Sequence, residues 1–243
     1  MRFQTNLYVM SRYVLVSDIH GNYPALQAVV DAEGINSTYL VLGDLFGLNA
    51  YPKKTLDLIR SLDARVIIGN HDYAIFVQDE GHVNNEALSE FERSYTLESL
   101  TQEDIDWVRD QSSFDTFEDD SGNSICITHA KAWPEESRGY TSGNSGMPKG
   151  NIPHFASRVL KNRNYQYVFH GHTHEQYSLD CSRFGHDIHF VNPGTLGYKS
   201  TYAVVDTETG HVDLKSVDVD QDRITDHIQD VLPETAPSVN RWY

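Results

Sequence analysis

The chain has 243 residues, 39% of them hydrophobic, with 35 acidic against 19 basic side chains and a net charge of −16. Such a length fits one large domain that can bury two sheets, or a sheet with flanking helices, and no apolar run approaches the roughly 20 residues that cross a bilayer. The acidity repels duplex nucleic acid and anionic membranes at long range, and two cysteines, Cys126 and Cys181, make no disulfide framework, which fits a cytoplasmic protein.

Residues 1–10 hold no sustained apolar core and do not read as a secretory signal. A compact β-prone run follows at 13–17, a sharp turn at 18–22, and helical periodicity over 23–32. Pro24 suits the first turn of that helix and Gly34 its end. The unit then repeats, with a strand at 39–42, a loop, a helix from about 52 to 62 and a strand at 65–68. Strand, loop, helix, strand in this order argues for parallel pairing, with function at the carboxyl ends of the strands. Residues 84–111 look helical, Thr101 and Asp104 being spaced as a capping box with Trp107 and Val108 on the inner side.

Two more strands, at 124–128 and 167–170, are separated by a long Gly-, Ser- and Pro-rich loop over 131–151. Cys126 reads as a buried small hydrophobe within the first of them. Strands at 188–191, 202–205 and 211–217 close the pattern, the last two joined by a hairpin connection at 206–210. Residues 1–12 and about 219–243 read as peripheral segments of a single domain spanning 1–243.

Five polar clusters each follow an apolar run: Asp18-Ile19-His20, Gly43-Asp44, Gly69-Asn70-His71-Asp72, Thr128-His129 and Gly171-His172-Thr173-His174. Taken singly, most are ordinary turns: Asp-x-His can be a turn with a surface histidine, and Gly-Asn can end a strand in left-handed geometry. Jointly they supply the aspartates, imidazoles and amide oxygen that hold two divalent cations, and the lack of cysteine argues against a structural zinc site. Asp18 and His20 converge on one ion if the backbone turns at Gly21. Asp44 is placed to bridge two ions, Asn70 offers a carbonyl oxygen, and His129, His172 and His174 offer nitrogen. Two divalent cations balanced by Asp18, Asp44 and a bridging hydroxide leave a centre of about +1, which attracts a phosphate dianion. The hydroxide would attack phosphorus in line, and His71 would serve as general acid for the leaving alkoxide. His82, His154, His186, His211 and His227 read as surface or loop residues, and His170 and His189 as packed, hydrogen-bonded strand residues.

The order Asp-x-His, Gly-Asp, Gly-Asn-His-Asp, His, Gly-His-x-His resembles the calcineurin-like metallophosphoesterase superfamily over about residues 13–198. The stretches 17–22 and Asn192-Pro193-Gly194-Thr195-Leu196-Gly197 resemble its small prokaryotic phosphodiesterase and phosphatase branch. The resemblance implies an α/β (α+β) fold, a four-layer αββα sandwich with two mixed β-sheets flanked by helices. It implies that Asp18, His20, Asp44 and His174 hold one ion, that Asp44, Asn70, His129 and His172 hold the other, and that His71 is the catalytic acid. The ions expected are Mn²⁺ first, with Fe, Zn, Ni or Co also suited to these ligands.

Two departures bear on the substrate. Protein phosphatases of this superfamily carry Gly-Asp-x-Val-Asp-Arg-Gly, whereas this chain reads Gly43-Asp44-Leu45-Phe46-Gly47-Leu48, without the histidine-orienting aspartate or the phosphate-gripping arginine. An arginine often found after the Asn-Pro-Gly turn of the small branch is replaced here by Tyr198 and Lys199. Phosphate contacts are then expected from Asn22, Asn70, Arg138 or Lys149. The leading expectation is a hydrolase of a small phosphoester or nucleotide. A dinucleoside polyphosphate hydrolase or protein phosphatase is the alternative, and a non-catalytic protein-binding scaffold is disfavoured because every ligand position and His71 are filled.

Overall fold

The computed structural model describes residues 11–47, 51–76, 90–130, 146–152 and 164–219. In chain order the first half comprises β1 (Arg12–Val16), α1 (Tyr23–Glu33), β2 (Thr38–Leu42), α2 (Pro52–Ser61), β3 (Asp63–Ile67), α3 (Asn70–Phe76), α4 (Glu90–Ser99) and α5 (Gln102–Arg109). The second comprises β4 (Phe114–Glu118), β5 (Ser124–Thr128), β6 (Tyr167–His170), β7 (Tyr177–Asp180), β8 (His189–Asn192), β9 (Thr201–Asp206) and β10 (His211–Ser216).

The strands form two mixed five-stranded sheets, ordered β10-β9-β1-β2-β3 and β4-β5-β6-β8-β7. In the first, β1, β2 and β3 run parallel and β9 and β10 lie antiparallel on one side; in the second, β5, β6 and β8 run parallel between antiparallel edge strands β4 and β7. The parallel register follows from the helical crossovers, since α1 and α2 return the chain to the same edge before the next strand begins.

Period-two alternation decides which side chain enters which core. Tyr13 and Leu15 of β1, with Leu40 and Leu42 of β2, face the other sheet and meet Ile125, Ile127, Phe169 and Val191. Val14 and Val16, with Tyr39 and Val41, point the other way and bury Leu26, Val29, Leu56, Ile59 and Val108 from the helices. On the outer face of the second sheet, Cys126, Val168 and Phe190 pack against Met147, Ile152, Tyr165 and Cys181. Both cysteines are free and buried, as the sequence led us to expect of Cys126. The sandwich of two mixed sheets flanked by helices is the architecture the family resemblance implied.

Several elements differ from expectation. The helical stretch divides at Leu100, because Thr101 caps α5: its hydroxyl accepts from the Asp104 N–H while the Asp104 carboxylate accepts from the Thr101 N–H. Val108 is buried and Trp107 packs beside it. Strands β4 and β7, unanticipated from the sequence, are antiparallel edge strands with mixed exposure. Helix α3 starts at Asn70, where the sequence suggested only a strand-closing turn. Residues 1–10, 84–89, 131–145 and 220–243, including much of the expected loop and most of both expected peripheral segments, lie outside the described residues, and Arg12 of the first segment opens β1.

At the rim where β1 begins, the two sheets are joined by polar contacts. Thr207 Oγ1 donates to Asp119 Oδ2 at 2.5 Å, and its carbonyl accepts from Asn123 Nδ2 and Tyr167 Oη at 3.1 and 3.2 Å. The opposite rim, where the parallel strands end, carries the polar clusters.

Candidate metal centre

Each polar cluster sits in the first residues beyond a parallel strand: Asp18 and His20 beyond β1, Asp44 beyond β2, Asn70 and His71 beyond β3, His129 beyond β5, and His172 and His174 beyond β6. The loops continue the ladder past the strand ends, with Asp18 N–H donating to Gly43 O, His20 N–H to Asp44 O, and Gly171 N–H to His129 O. Among the described residues only six non-glycine residues have positive φ, and five of them are Asp18, His20, Asp44, His172 and His174. Left-handed backbone is costly for residues with a Cβ and persists where surrounding structure enforces it, which is characteristic of functional sites. Here it turns side chains that would alternate across a strand inward to one point.

Two glycines allow the loops to close. A Cβ on Gly69 would stand 2.7 Å from Asp44 Cγ, and one on Gly171 would stand 2.6 Å from Asp18 Oδ2. Glycine before Asn70 and before His172 therefore reflects close approach of neighbouring ligand loops.

The donor atoms face one another. Asp18 Oδ2 accepts from Ser17 Oγ at 2.6 Å and from the His172 N–H at 3.0 Å, so the carboxylate is oriented from behind. Its Oδ1 is buried without a hydrogen bond and lies 3.0 Å from His174 Nε2. His20 Nδ1 donates to Phe46 O at 3.3 Å, which leaves Nε2 as a buried lone pair with no partner. His129 Nδ1 donates to Leu42 O at 2.7 Å, turning Nε2 to within 3.2 Å of Asp44 Oδ2 and 3.1 Å of Asn70 Oδ1. His172 Nδ1 reaches the same Asn70 oxygen at 2.8 Å. Three groups of donors lie close enough to share an ion: Asp18 with His20 and His174, His20 with Asp44 and His71, and Asp18 with Asp44 and His129. Backbone carbonyls that accept from the far ring nitrogen are the usual means of aiming a histidine at a metal.

The electrostatics call for positive charge at the centre. Burial lowers the pKa of His129, but Asp44 and Asp18 overcome it and push it up to about 10. Burial raises the carboxylates, yet His129 and His174 hold Asp18 below its usual range, and His129 and His71 hold Asp44 well below. Burial drives His20 and His172 down to about 4, which keeps both neutral and their nitrogens available. Buried carboxylates with the neutral imidazoles of His20 and His172 beside them are a donor set that fits first-row divalent cations.

His71 stands beside this centre at the start of α3. Its N–H donates to Asp44 Oδ1 at 2.9 Å, its Nε2 lies 4.0 Å from Asp44 Oδ2, and its ring packs edge-on against His20. Its Nδ1 is buried with no hydrogen-bond partner, and Gly47 stands where the protein-phosphatase pattern would have its histidine-orienting aspartate.

The residues that hold the loops carry no distinct signal in the sequence. Asp72, fully buried, accepts from the N–H groups of Leu45, Phe46 and Gly69 at 2.9 to 3.1 Å, binding the loop of Asp44 to that of Asn70. Burial and then Asp44 push its pKa up to about 7, while the backbone donors pull it down. The turn at 192–197 supports the first loop, Thr195 Oγ1 and the Gly197 N–H both donating to Asp18 O.

The expected substrate contacts fare differently. Asn22 is corrected: at 0% exposure it caps α1 by accepting from the Ala25 N–H, and its Nδ2 donates to Leu196 O and Gly197 O, so no polar group faces a substrate. Asn22 before Tyr23-Pro24 is itself the sequence signal for a helix cap. Arg138 lies outside the described residues, as do His82, His154 and His227. Lys149 is exposed on a 3₁₀ turn, Lys149–Asn151, whose first N–H donates to Glu175 next to His174. His170 and His189 are hydrogen-bonded to Tyr177 and Ser178, as expected of packed strand residues.

Two mixed sheets placed face to face, with an aspartate–histidine cluster where parallel strands of both sheets end, define a metal-dependent hydrolase of phosphoric esters. The chain belongs to the calcineurin-like phosphoesterase family, whose sequence pattern matches residues 11–176. It is 24% identical over 251 residues to an uncharacterized protein of Methanocaldococcus jannaschii, covering 93% of this chain and 96% of that one. Its fold is similar to that of a hypothetical protein from Pyrococcus horikoshii, with a TM-score of 0.73, 22% identity, and 92% and 94% of the two chains covered. It is also similar to that of a metallophosphoesterase from Sphaerobacter thermophilus, with a TM-score of 0.71, 21% identity, and 95% and 97% covered.

Proposed function

We propose that the protein is a dinuclear phosphoesterase that hydrolyses a small phosphomonoester or phosphodiester, nucleotides included. The observation that carries this reading is the convergence of buried, unpartnered donor atoms, Asp18 Oδ1 and His20 Nε2 above all, beside Asp44. In this reading Asp18, His20, Asp44 and His174 hold one cation, and Asp44, Asn70, His129 and His172 hold the other. The bound cations, Mn²⁺ first among the suitable ions, supply Lewis acidity and acidify water to a nucleophile at neutral pH.

The chain's own residues do the rest. His71 delivers the proton to the leaving alkoxide, and Asp44 fixes where that imidazole stands. Lys149, exposed near His174, is the remaining described candidate for a phosphate contact. The acidic surface favours a small substrate over duplex nucleic acid or a membrane surface, and two free, buried cysteines accord with a cytoplasmic protein; no described helix is long and apolar enough to cross a membrane.

The test is hydrolysis of p-nitrophenyl phosphate and bis-p-nitrophenyl phosphate by chelated protein titrated with Mn²⁺, alongside Asp44→Asn. Activity that returns with metal and is lost in the variant supports the reading, and the ratio of the two rates separates monoesterase from diesterase. Absence of both metal uptake and turnover would overturn it.

A further inference from the structure

Tyr198 and Lys199, which occupy the stretch where the small branch often places an arginine, both bind His174. The Tyr198 hydroxyl shares a 2.5 Å hydrogen bond with His174 Nδ1, and the two rings pack edge-on with centroids 5.2 Å apart. Lys199 Nζ donates to His174 O at 3.2 Å and sits 5.6 Å from the Tyr198 ring centroid. The turn carrying Tyr198 is fixed to the centre, because the Gly197 N–H donates to Asp18 O. His20 and His129 direct their far ring nitrogens to backbone carbonyls, whereas His174 directs its own to a side-chain hydroxyl.

The chemistry of that partner matters. A carbonyl can only accept, and an arginine can only donate, but a phenol does either. When His174 Nε2–H faces Asp18 Oδ1, 3.0 Å away, Nδ1 is a lone pair and the Tyr198 O–H donates to it. When Nε2 is a ligand, the proton must sit on Nδ1, and the Tyr198 oxygen accepts.

We propose that Tyr198 is a positioning residue for the cation held by Asp18, His20 and His174: its hydroxyl reverses its hydrogen bond so that His174 stays aimed at the centre in both the metal-free and the metal-loaded protein. This rests on the dinuclear reading above. Tyr198 itself touches neither metal nor substrate in this role.

The experiment is calorimetric titration of EDTA-treated protein with Mn²⁺, comparing wild type with Tyr198→Phe, which keeps the ring and removes only the hydroxyl. The melting temperature of each metal-free protein is recorded alongside. The expected result is that one of two Mn²⁺ affinities weakens about 10- to 100-fold, the range for loss of a partner behind a metal-bound histidine, while the other affinity and the metal-free melting temperature are unchanged. Unchanged affinities at both sites would overturn the proposal. Equal weakening of both, with a lower metal-free melting temperature, would also overturn it by showing a packing role. Wild type binding a single Mn²⁺ would sink the dinuclear reading, while that ion's response to Tyr198→Phe would still decide the role of Tyr198. No uptake by wild type would overturn both.

Discussion

His71 is tied to Asp44 through its backbone: the main-chain N–H donates to Oδ1 at 2.9 Å, while its imidazole Nε2 lies 4.0 Å from Oδ2 of the same carboxylate. The proposed bridging ligand is thus held against the backbone of the proposed acid.

Replacing His71 by alanine should separate their roles. The N–H bond to Asp44 survives the substitution, so metal binding should persist while turnover falls by about 10²- to 10⁴-fold, the usual contribution of a general acid. Steady-state rates with metal content measured on the same sample check this. Undiminished turnover with metals bound would remove His71 from the chemistry.

Gly69→Ala should act through space alone. The new Cβ would lie 2.7 Å from Asp44 Cγ, with no flexible tail to give way. Overpacking of this kind costs about 1–3 kcal/mol, and urea unfolding of the metal-free protein should register it. Stability equal to wild type would mean that the loops of Asp44 and Asn70 separate more readily than their packing indicates.

Asp72→Ala would leave the N–H groups of Leu45, Phe46 and Gly69 without their common acceptor. Each buried orphan donor costs about 1–3 kcal/mol, so this variant should lose more stability than Gly69→Ala and bind Mn²⁺ more weakly. Chemical denaturation, followed by metal titration of the surviving fold, measures both. A neutral result would show that water takes over as acceptor.

Glu33 supplies the pH dependence. Its side chain is 4% exposed and meets Lys215 at 2.6 Å, Tyr202 Oη at 2.8 Å and Arg12 at 2.5 Å. Burial raises its pKa, but these partners outweigh burial and bring it from 4.5 down to about 2. A folded-state pKa below the unfolded one means stability that is fully present above pH 4.5 and is lost as pH falls towards 2. Glu33→Gln should be less stable than wild type near pH 7, and the gap should close across that acid window. A gap that stays constant with pH would show that the carboxylate charge is not what joins the end of α1 to β1, β9 and β10.

The strands most sharply legible in the sequence are those buried on both faces, although β3 and β10, exposed or half-buried at most positions, also read as β-prone runs. In β1 and β2 nearly every residue is buried, so each reads as a continuous apolar run and the polar residue that ends it stands out. Edge strands β4 and β7 mix exposed and buried positions, and their runs resemble loops. The metal-type residues were legible for the same reason as the central strands, since an aspartate or histidine directly after a buried run has few solvated alternatives. Asn22 misled because its residue type suits a phosphate contact, while its capping role depends on where α1 begins. Asp72 and Tyr198 escaped because their partners are distant in sequence: the loop of Leu45 and Phe46 for one, His174 for the other.

The two sheets are fastened at opposite rims by different means. At one, Thr207 is bonded to Asp119, Asn123 and Tyr167; at the other, Asp18 and Asp44 from one sheet meet His129 and His174 from the other. A bound ion would add to a clasp of the second kind and leave the first unchanged. Chelation should therefore quicken amide hydrogen exchange around His20, Asp44 and His129 while exchange around Thr207 stays slow. The reaction centre is in this sense also the latch of the molecule.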